Sequence, residues 1–485
     1  MNKSYTTDKT DNRIDETNKV DRLYNIFLGA SGVTTDSRNV PEGSLFFALK
    51  GDNFDGNRFA LAALEAGASF AVVDDRTLLT ILSESVSDAE EDRSSDSGEC
   101  GQKGLPLRER LILTDDVLST LQQLAAHHRR KLGIPIVALT GTNGKTTTKE
   151  LITAVLSTEY NVVSTSGNLN NHIGVPLTIL GMKQDTEVGV VEMGASAPGE
   201  IATLASIAAP DAALITNVGK AHLLGFGSFE GVKQTKGELY DYIKDNGGVI
   251  LYNHDNIHLC QMVADRNLPE TIPYGINYRG AEILPSSGDD PLLKIKLKEG
   301  EVISCNLVGS YNADNIMAAV AVGEYFGIPL KSAASAIEGY IPRNNRSQLI
   351  RENGNTIIID AYNANPTSMR AALENFFSME LICKTLILGD MLELGKDSQS
   401  EHKAILELIA ETKDIEQCFF VGAEFLKSYE ATYPGKKNTE LKNALFFKNS
   451  AELHDFLTKE NLTGKSFLIK GSRGTRLEVV LPALS

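Results

Sequence analysis

The stretch VALTGTNGKTTTKELI, residues 137–152, decides how this chain is read. An apolar, β-branched run leads into a glycine-bracketed turn and then into a segment of helical composition. Backbone N–H groups in a tight glycine loop and at a helix amino end hold anionic oxygens. A lysine there adds charge, and a Ser or Thr hydroxyl can bind Mg²⁺. Gly144, Lys145 and Thr146 fill those positions, and the helix from Thr147 onward would aim its positive end at a phosphate. The loop departs from G-x-x-x-x-G-K-[ST] at the first position, which is Leu139, with Gly141 following. A helix-capping turn is the bland alternative; the strand before and the helix after weigh against it.

Outward from that loop, a chain of 485 residues exceeds one hydrophobic core and suggests about three domains. Apolar content of 42% with 23% charged residues is that of a soluble globular protein. The formal net charge of -16 and the absence of Lys/Arg runs argue against nucleic acid as a partner. An anionic substrate must therefore be met by local cations or metal ions. The five cysteines are widely spaced and form no C-x-x-C pair, which points to reduced thiols in a cytoplasmic protein rather than to disulfides or zinc. The amino end is polar, without an apolar signal core, and no apolar run is long enough for membrane insertion.

Patterning sets the expected boundaries. Residues 1–22 read as a flexible tail, and a first domain runs over 23–133. Within it, 44–49 and 69–73 look like strands and 58–66 like a helix; the pattern resumes with LILT at 111–114 and the helix-like VLSTLQQLAAHHRRKL. The acidic, serine-rich stretch at 83–104 reads as a mobile surface insertion. The second domain, 134–342, repeats strand, loop and helix, with strands at 136–139, 189–191 and 213–215. The third, 343–485, carries TIIID, TLILG, CFFVG, ALFF and SFLIK between helix-like segments, as in a parallel sheet covered by helices. The class is α/β throughout.

The octet TGTNGKTT resembles the phosphate loop of the Mur ligase family, ATP-dependent enzymes that assemble the peptide stem of bacterial peptidoglycan. That resemblance implies a central P-loop ATPase domain with a mostly parallel sheet, an N-terminal domain binding the UDP end of the substrate, and a Rossmann-like C-terminal domain. It assigns ATP contacts to Gly141, Thr142, Asn143, Gly144, Lys145, Thr146 and Thr147. Glu192 in VVEMGAS, His222 in TNVGKAHLLGFGS and Lys236 in KQTKGEL correspond to the family's metal site, shared with Thr146 and holding Mg²⁺. Lys236 would there be carbamylated by CO₂, turning a cation into an oxygen anion. Lys145, Glu192, His222 and Lys236 together form the implied catalytic set. VGSYNADNIMAAVAV at 308–322 places Asn315 at the adenine; Arg346 in PRNNRSQ would reach the ATP phosphates, although Asn345 stands where glycine is usual; Asp360 completes the nucleotide contacts.

The segments that separate family members lie in the first and third domains, with one more in the second. DAYNANPTS at 360–368, LGDMLELG at 388–395, KGSRGTRLE at 470–478 and GNLNNHIGVPLTIL at 167–180 are similar to the branch that joins D-alanyl-D-alanine to UDP-N-acetylmuramoyl-tripeptide. They imply substrate contacts at Asn168, Asn171, Tyr362, Asn363, Asn365, Ser472 and Arg473. TDSRNVPEGSLFFALKGDNFDGNRF at 35–59 resembles the family's UDP-binding segment, with Ser37 and Arg38 as contacts and Asn57 where histidine is common. The expected state is a monomer. Rivals are another amide ligase of this superfamily, such as a folylpolyglutamate synthase, and a nucleotide switch that hydrolyses ATP without ligation. Singly each segment could be a turn or strand end; together they span about residues 30–480.

Overall fold

Runs rich in Val, Ile, Leu and Phe, bounded by Gly, Asn and Asp, form the strands, because branched and aromatic side chains pack well on a pleated surface. A computed structural model describes residues 9–78, 106–220, 223–268, 270–288, 290–343, 345–434, 441 and 443–484. The acidic stretch at 83–104 and His222 lie outside the described residues. Among the described residues no helix is long and apolar enough to cross a membrane. Contacts divide the chain into two compact units, the first comprising 1–136, 165–191 and 203–209, the second 137–164, 192–202 and 210–485.

The first unit contains a parallel sheet in the order Val33–Thr34, Leu45–Phe47, Phe70–Val73, Leu111–Leu113. Phe46, Leu64, Ala71 and Val73 lie in its core. The helix Val117–Leu132 starts where the Asp116 carboxylate accepts from the Ser119 N–H at 2.7 Å, and it stops at Gly133, whose φ of 63° only glycine adopts freely. Leu121, Leu124 and Ala125 form its buried face. One expectation fails here. Residues 9–22, read as part of a tail, belong to the helix Lys9–Leu28. Its composition is polar, but Leu23 and Phe27 fall one turn apart and are buried. Nearby, His128 Nε2 lies 2.9 Å from the Met182 carbonyl, so this nitrogen carries the proton; Nδ1 is then the acceptor for the Tyr24 hydroxyl at 3.3 Å.

In the second unit, four parallel strands run in the order Thr271–Tyr274, Val249–Asn253, Ala212–Ile215, Ile136–Thr140. All five residues of Ile136–Thr140 are buried, as a central strand covered on both faces requires. The helices Lys145–Leu156 and Ala313–Tyr325 pack on one another. The expected strand-loop-helix rhythm breaks at Glu282–Leu284, Leu292–Lys296 and Val302–Val308, an antiparallel sheet. The Leu292–Lys296 and Val302–Val308 strands alternate inward and outward residues, the signature of a one-sided sheet.

The last sheet has the order Gln348–Glu352, Asn355–Ile359, Ser466–Lys470, Lys384–Gly389, Ile415–Val421, Ala444–Phe447. Only the edge pair Gln348–Glu352 with Asn355–Ile359 is antiparallel. Separate cores cover it, one including Met369, Phe376, Leu406 and Phe425, the other Leu453, Leu457 and Leu477. Because Asn355–Ile359, Ser466–Lys470 and Lys384–Gly389 are parallel neighbours, the loops following all three emerge at one end. That is where open α/β sheets bind ligands.

Candidate functional site

The loop between the strand Ile136–Thr140 and the helix Lys145–Leu156 is held from beneath. Thr216 Oγ1 and Asn217 Nδ2 both donate to the Asn143 carbonyl, at 2.6 and 3.0 Å, and Asn217 Oδ1 accepts from the Asn143 N–H at 3.0 Å. The Gly219 N–H donates to Thr142 Oγ1 at 2.9 Å. Two glycines are obligatory. Gly141 has φ +153° and a Cβ there would run into the Thr216 hydroxyl; at Gly144, with φ +79°, a Cβ would lie 2.5 Å from Asn315 Oδ1. Asn315 is buried, accepts from Thr148 Oγ1 at 3.0 Å and donates to Asn312 Oδ1 at 2.9 Å. It therefore braces the loop from below.

Charge gathers at the amino end of that helix. Lys145 Nζ donates to the Gly141 and Thr142 carbonyls at 2.8 and 3.3 Å. Desolvation lowers the Lys145 pKa, the Glu192 carboxylate opposes that shift, and the Arg346 charge adds to it. Glu192 is buried at the end of the strand Val188–Glu192. Lys236, on the helix Phe229–Asn246, is 3% exposed, and desolvation together with the nearby Lys145 charge takes its pKa well below the usual lysine value. The Thr146 and Thr147 side chains are buried in the first turn of the loop helix. Among the described residues no three or more His, Cys, Asp or Glu cluster to hold a metal ion. The oxygens available to Mg²⁺ are the Glu192 carboxylate and the Thr146 hydroxyl, a hard donor set that suits the ion. They fit such a site, and Lys236 would join them only if its amine became an oxygen ligand.

A second cluster forms on the loops of the last sheet. The Tyr362 ring carries the Arg346 guanidinium at 3.5 Å from its centroid and that of Arg473 at 5.0 Å. Lys470, 1% exposed, ion-pairs with Asp360 at 2.5 Å and also reaches the Asp360 and Asn363 carbonyls at 3.3 and 3.4 Å. Ser472 Oγ donates to the Ala364 carbonyl at 3.2 Å and accepts from the Leu392 N–H at 2.9 Å. Asn365 caps the helix Pro366–Ser378 through the Ser368 N–H, and its Nδ2 donates to Asn143 Oδ1 at 2.7 Å, joining this cluster to the phosphate loop. Lys220 pairs with Glu401 at 2.9 Å nearby in the same unit.

In the first unit Arg38 is exposed and makes a two-pronged pair with Asp36, at 2.9 and 2.8 Å, which holds the Asp36 carboxyl at about 2. Ser37 is half-buried beside it. Asn57 is buried: its Nδ2 donates to both Asp55 and Asp74 at 2.8 Å, and its Oδ1 accepts from the Asp74 N–H at 3.1 Å. Asn168 and Asn171 are exposed in the same unit; Asn171 Oδ1 accepts from the Ile173 and Gly174 N–H groups at 3.1 and 2.9 Å.

The second unit thus brings together Asn143, Lys145, Glu192, Lys236, Arg346, Tyr362 and Asn365. Thr216, Asn217, Lys470 and His402, whose Nε2 accepts from the Met391 N–H at 3.0 Å, were not foreseen. Lys470 opens KGSRGTR, so its motif was visible although its partner was not.

Residues 30–129, 139–323 and 345–473 match the profiles described as Mur ligase family, catalytic domain; Mur ligase middle domain; and Mur ligase, glutamate ligase domain. The chain belongs to the Mur ligase family. Within that family it is 38% identical over 463 residues to the UDP-N-acetylmuramoyl-tripeptide–D-alanyl-D-alanine ligase of Bacillus subtilis, covering 93% of each chain. The enzyme of the same name from Escherichia coli is 31% identical over 458 residues, again with 93% of each chain covered. Among solved structures of Mur ligases, MurF from Acinetobacter baumannii superposes with a TM-score of 0.77 at 28% identity, over 96% of this chain and 98% of that one. MurF from Thermotoga maritima in complex with ADP gives 0.74 at 25% identity, over 94% and 97%.

Proposed function

We propose that this chain joins D-alanyl-D-alanine to the terminal carboxylate of UDP-N-acetylmuramoyl-tripeptide, consuming ATP, in cytoplasmic synthesis of the peptidoglycan precursor. The observation that carries the reading is the glycine loop that sets Lys145 at the amino end of the helix Lys145–Leu156, with the Arg346 charge and the Glu192 carboxylate acting on it. Such a cluster suits two anions that must meet. The domains are taken as 23–133 for the UDP substrate, 134–342 for ATP and 343–485 for the C-terminal fold.

In this reading the loop amides of residues 141–147, with Lys145, hold the ATP phosphates, and the lysine leaves its loop carbonyls to do so. Arg346 meets the same phosphates from the C-terminal side, with Asp360 nearby and Asn315 bracing the loop near the adenine. The substrate carboxylate attacks the γ-phosphorus, giving an acyl phosphate and ADP. The uncharged amine of D-alanyl-D-alanine then attacks the acyl carbon; the tetrahedral adduct collapses, loses phosphate and sheds the amine proton, forming the amide. Ser37 and Arg38 bind the UDP end, Asn168 and Asn171 the peptide, and Asn363, Asn365, Ser472 and Arg473 the dipeptide side. Mg²⁺, when bound, offsets the repulsion between phosphate and carboxylate. Thr146, Glu192, His222 and a carbamylated Lys236 would hold it.

Water must be kept from the acyl phosphate, and the bond between Asn143 and Asn365 supports a role for the C-terminal loops in excluding it. The test is phosphate release by the purified chain, acting as a monomer, with UDP-tripeptides ending in diaminopimelate or lysine, each with and without D-alanyl-D-alanine. Release that needs both peptide substrates, with pentapeptide product, supports the proposal; release indifferent to the dipeptide points to an ATP-hydrolysing switch.

A further inference from the structure

Arg346 is anchored in an unusual way. The residues on either side, Asn345 and Ser347, have φ of 57° and 47°, so the backbone turns sharply through the left-handed region at both neighbours and fixes where the arginine starts. Its Nε is buried without a hydrogen-bond partner, and among the described residues the guanidinium forms no ion pair. What it does touch is the face of Tyr362, at 3.5 Å from the ring centroid, within the range of a direct stack. The Tyr362 hydroxyl makes no hydrogen bond among the described residues, so the ring is the part of this side chain that the structure uses.

The ring itself is held from below. The strand end that presents it is pinned by the buried Lys470, through Asp360 and the Asn363 carbonyl, and by Ser472 at the Ala364 carbonyl. Arg473 lies within 5.0 Å of the same ring. Two guanidiniums on one ring repel each other, and neither has an acidic partner among the described residues. That arrangement is stable when an anion is delivered to it. The Arg346 charge already acts on Lys145 at the phosphate loop, which gives the direction from which that anion comes.

We propose that Tyr362 is a positioning residue whose aromatic face, rather than its hydroxyl, aims Arg346 at the nucleotide phosphates. The inference rests on the reading of Arg346 as a phosphate contact. It replaces a direct substrate contact by Tyr362 with an action through its neighbour.

Steady-state kinetics of the full chain, with ATP varied against saturating UDP-tripeptide and D-alanyl-D-alanine, provide the test. Tyr362→Leu raises the KM for ATP about 5- to 30-fold, the range of a partly desolvated cation–π contact, while Tyr362→Phe keeps it within about twofold. In the double variant Tyr362→Leu/Arg346→Ala the KM is no worse than in Arg346→Ala, because the ring has nothing left to aim. Equal damage from Phe and Leu, or additive effects in the double variant, overturns the positioning role. An unaltered ATP KM in Arg346→Ala overturns the phosphate contact itself and the inference with it, so the two failures are distinct. Tyr362→Met, which also lacks the ring, makes the same comparison if Tyr362→Leu does not fold.

Discussion

Replacing Lys470 with methionine removes a buried charge while keeping most of the side-chain volume. The ammonium serves three acceptors, Asp360 Oδ2 and the Asp360 and Asn363 carbonyls, and it is 1% exposed. Breaking a fully buried pair costs about 3–5 kcal/mol, because the remaining charge is left without compensation. Here Asp360 is 17% exposed, so water recovers part of that and the expected loss is about 2–3 kcal/mol. For domains of this size that is a fall of about 5–10 °C in the unfolding midpoint. The chain has no tryptophan, so far-ultraviolet circular dichroism is the suitable signal, with urea melts run alongside. Adding Asp360→Asn to Lys470→Met should restore part of the loss, since the orphaned carboxylate is then neutral. The reasoning is refuted if Lys470→Met melts with the parent chain, or if the double variant loses the full sum of both single changes.

Other expectations follow from the same geometry. Gly141→Ala should weaken ATP binding at least about tenfold, measured calorimetrically, because the new methyl displaces the Thr216 hydroxyl that holds the loop at the Asn143 carbonyl. Desolvation lowers the His402 pKa, and its ring is neutral, with Nδ1 donating to the Ser398 carbonyl at 2.7 Å. Its folded value lies below its unfolded one, so its contribution is complete above about 6.5 and is lost as pH falls through the lowered value. Melting midpoints from pH 8 to 5 should therefore drop on the acid side, with a shallower drop in His402→Gln; parallel curves would remove His402 from the account. Burial disfavours the charged form of the Lys236 amine, and the uncharged form is the one that reacts with CO₂, so ligase activity should fall in CO₂-depleted buffer and return with bicarbonate. Activity indifferent to bicarbonate would argue against carbamylation of Lys236. Asn57→Ala, which leaves Asp55 and Asp74 without their shared amide, should destabilise the first unit by about 1–3 kcal/mol, read as a lower melting midpoint.

The strands and the phosphate loop were legible because local rules fix them. ALFF at 444–447 and SFLIK at 466–470 are strands over the predicted residues, and the helix from Val117 ends at the glycine that marked it. Glycines in the loop announce backbone that other residues cannot adopt. What the sequence hid depends on partners far along the chain. Lys470 opens a visible motif, but nothing near it in sequence names Asp360 as its partner, and nothing around Asn217 shows that it holds Asn143. The helix Lys9–Leu28 was missed because its average polarity outweighs the few positions that bury. The antiparallel sheet at 282–308 was missed because short alternating strands carry a weak signal between stronger parallel ones.

The hydrogen bond from the Asn365 side-chain amide to that of Asn143 spans 222 positions of chain. A fragment ending ahead of Asn365 would spell out the nucleotide motif in full and still lack one of the groups that steady it. During synthesis, the cradle for ATP is thus complete in letters long before it is complete in space.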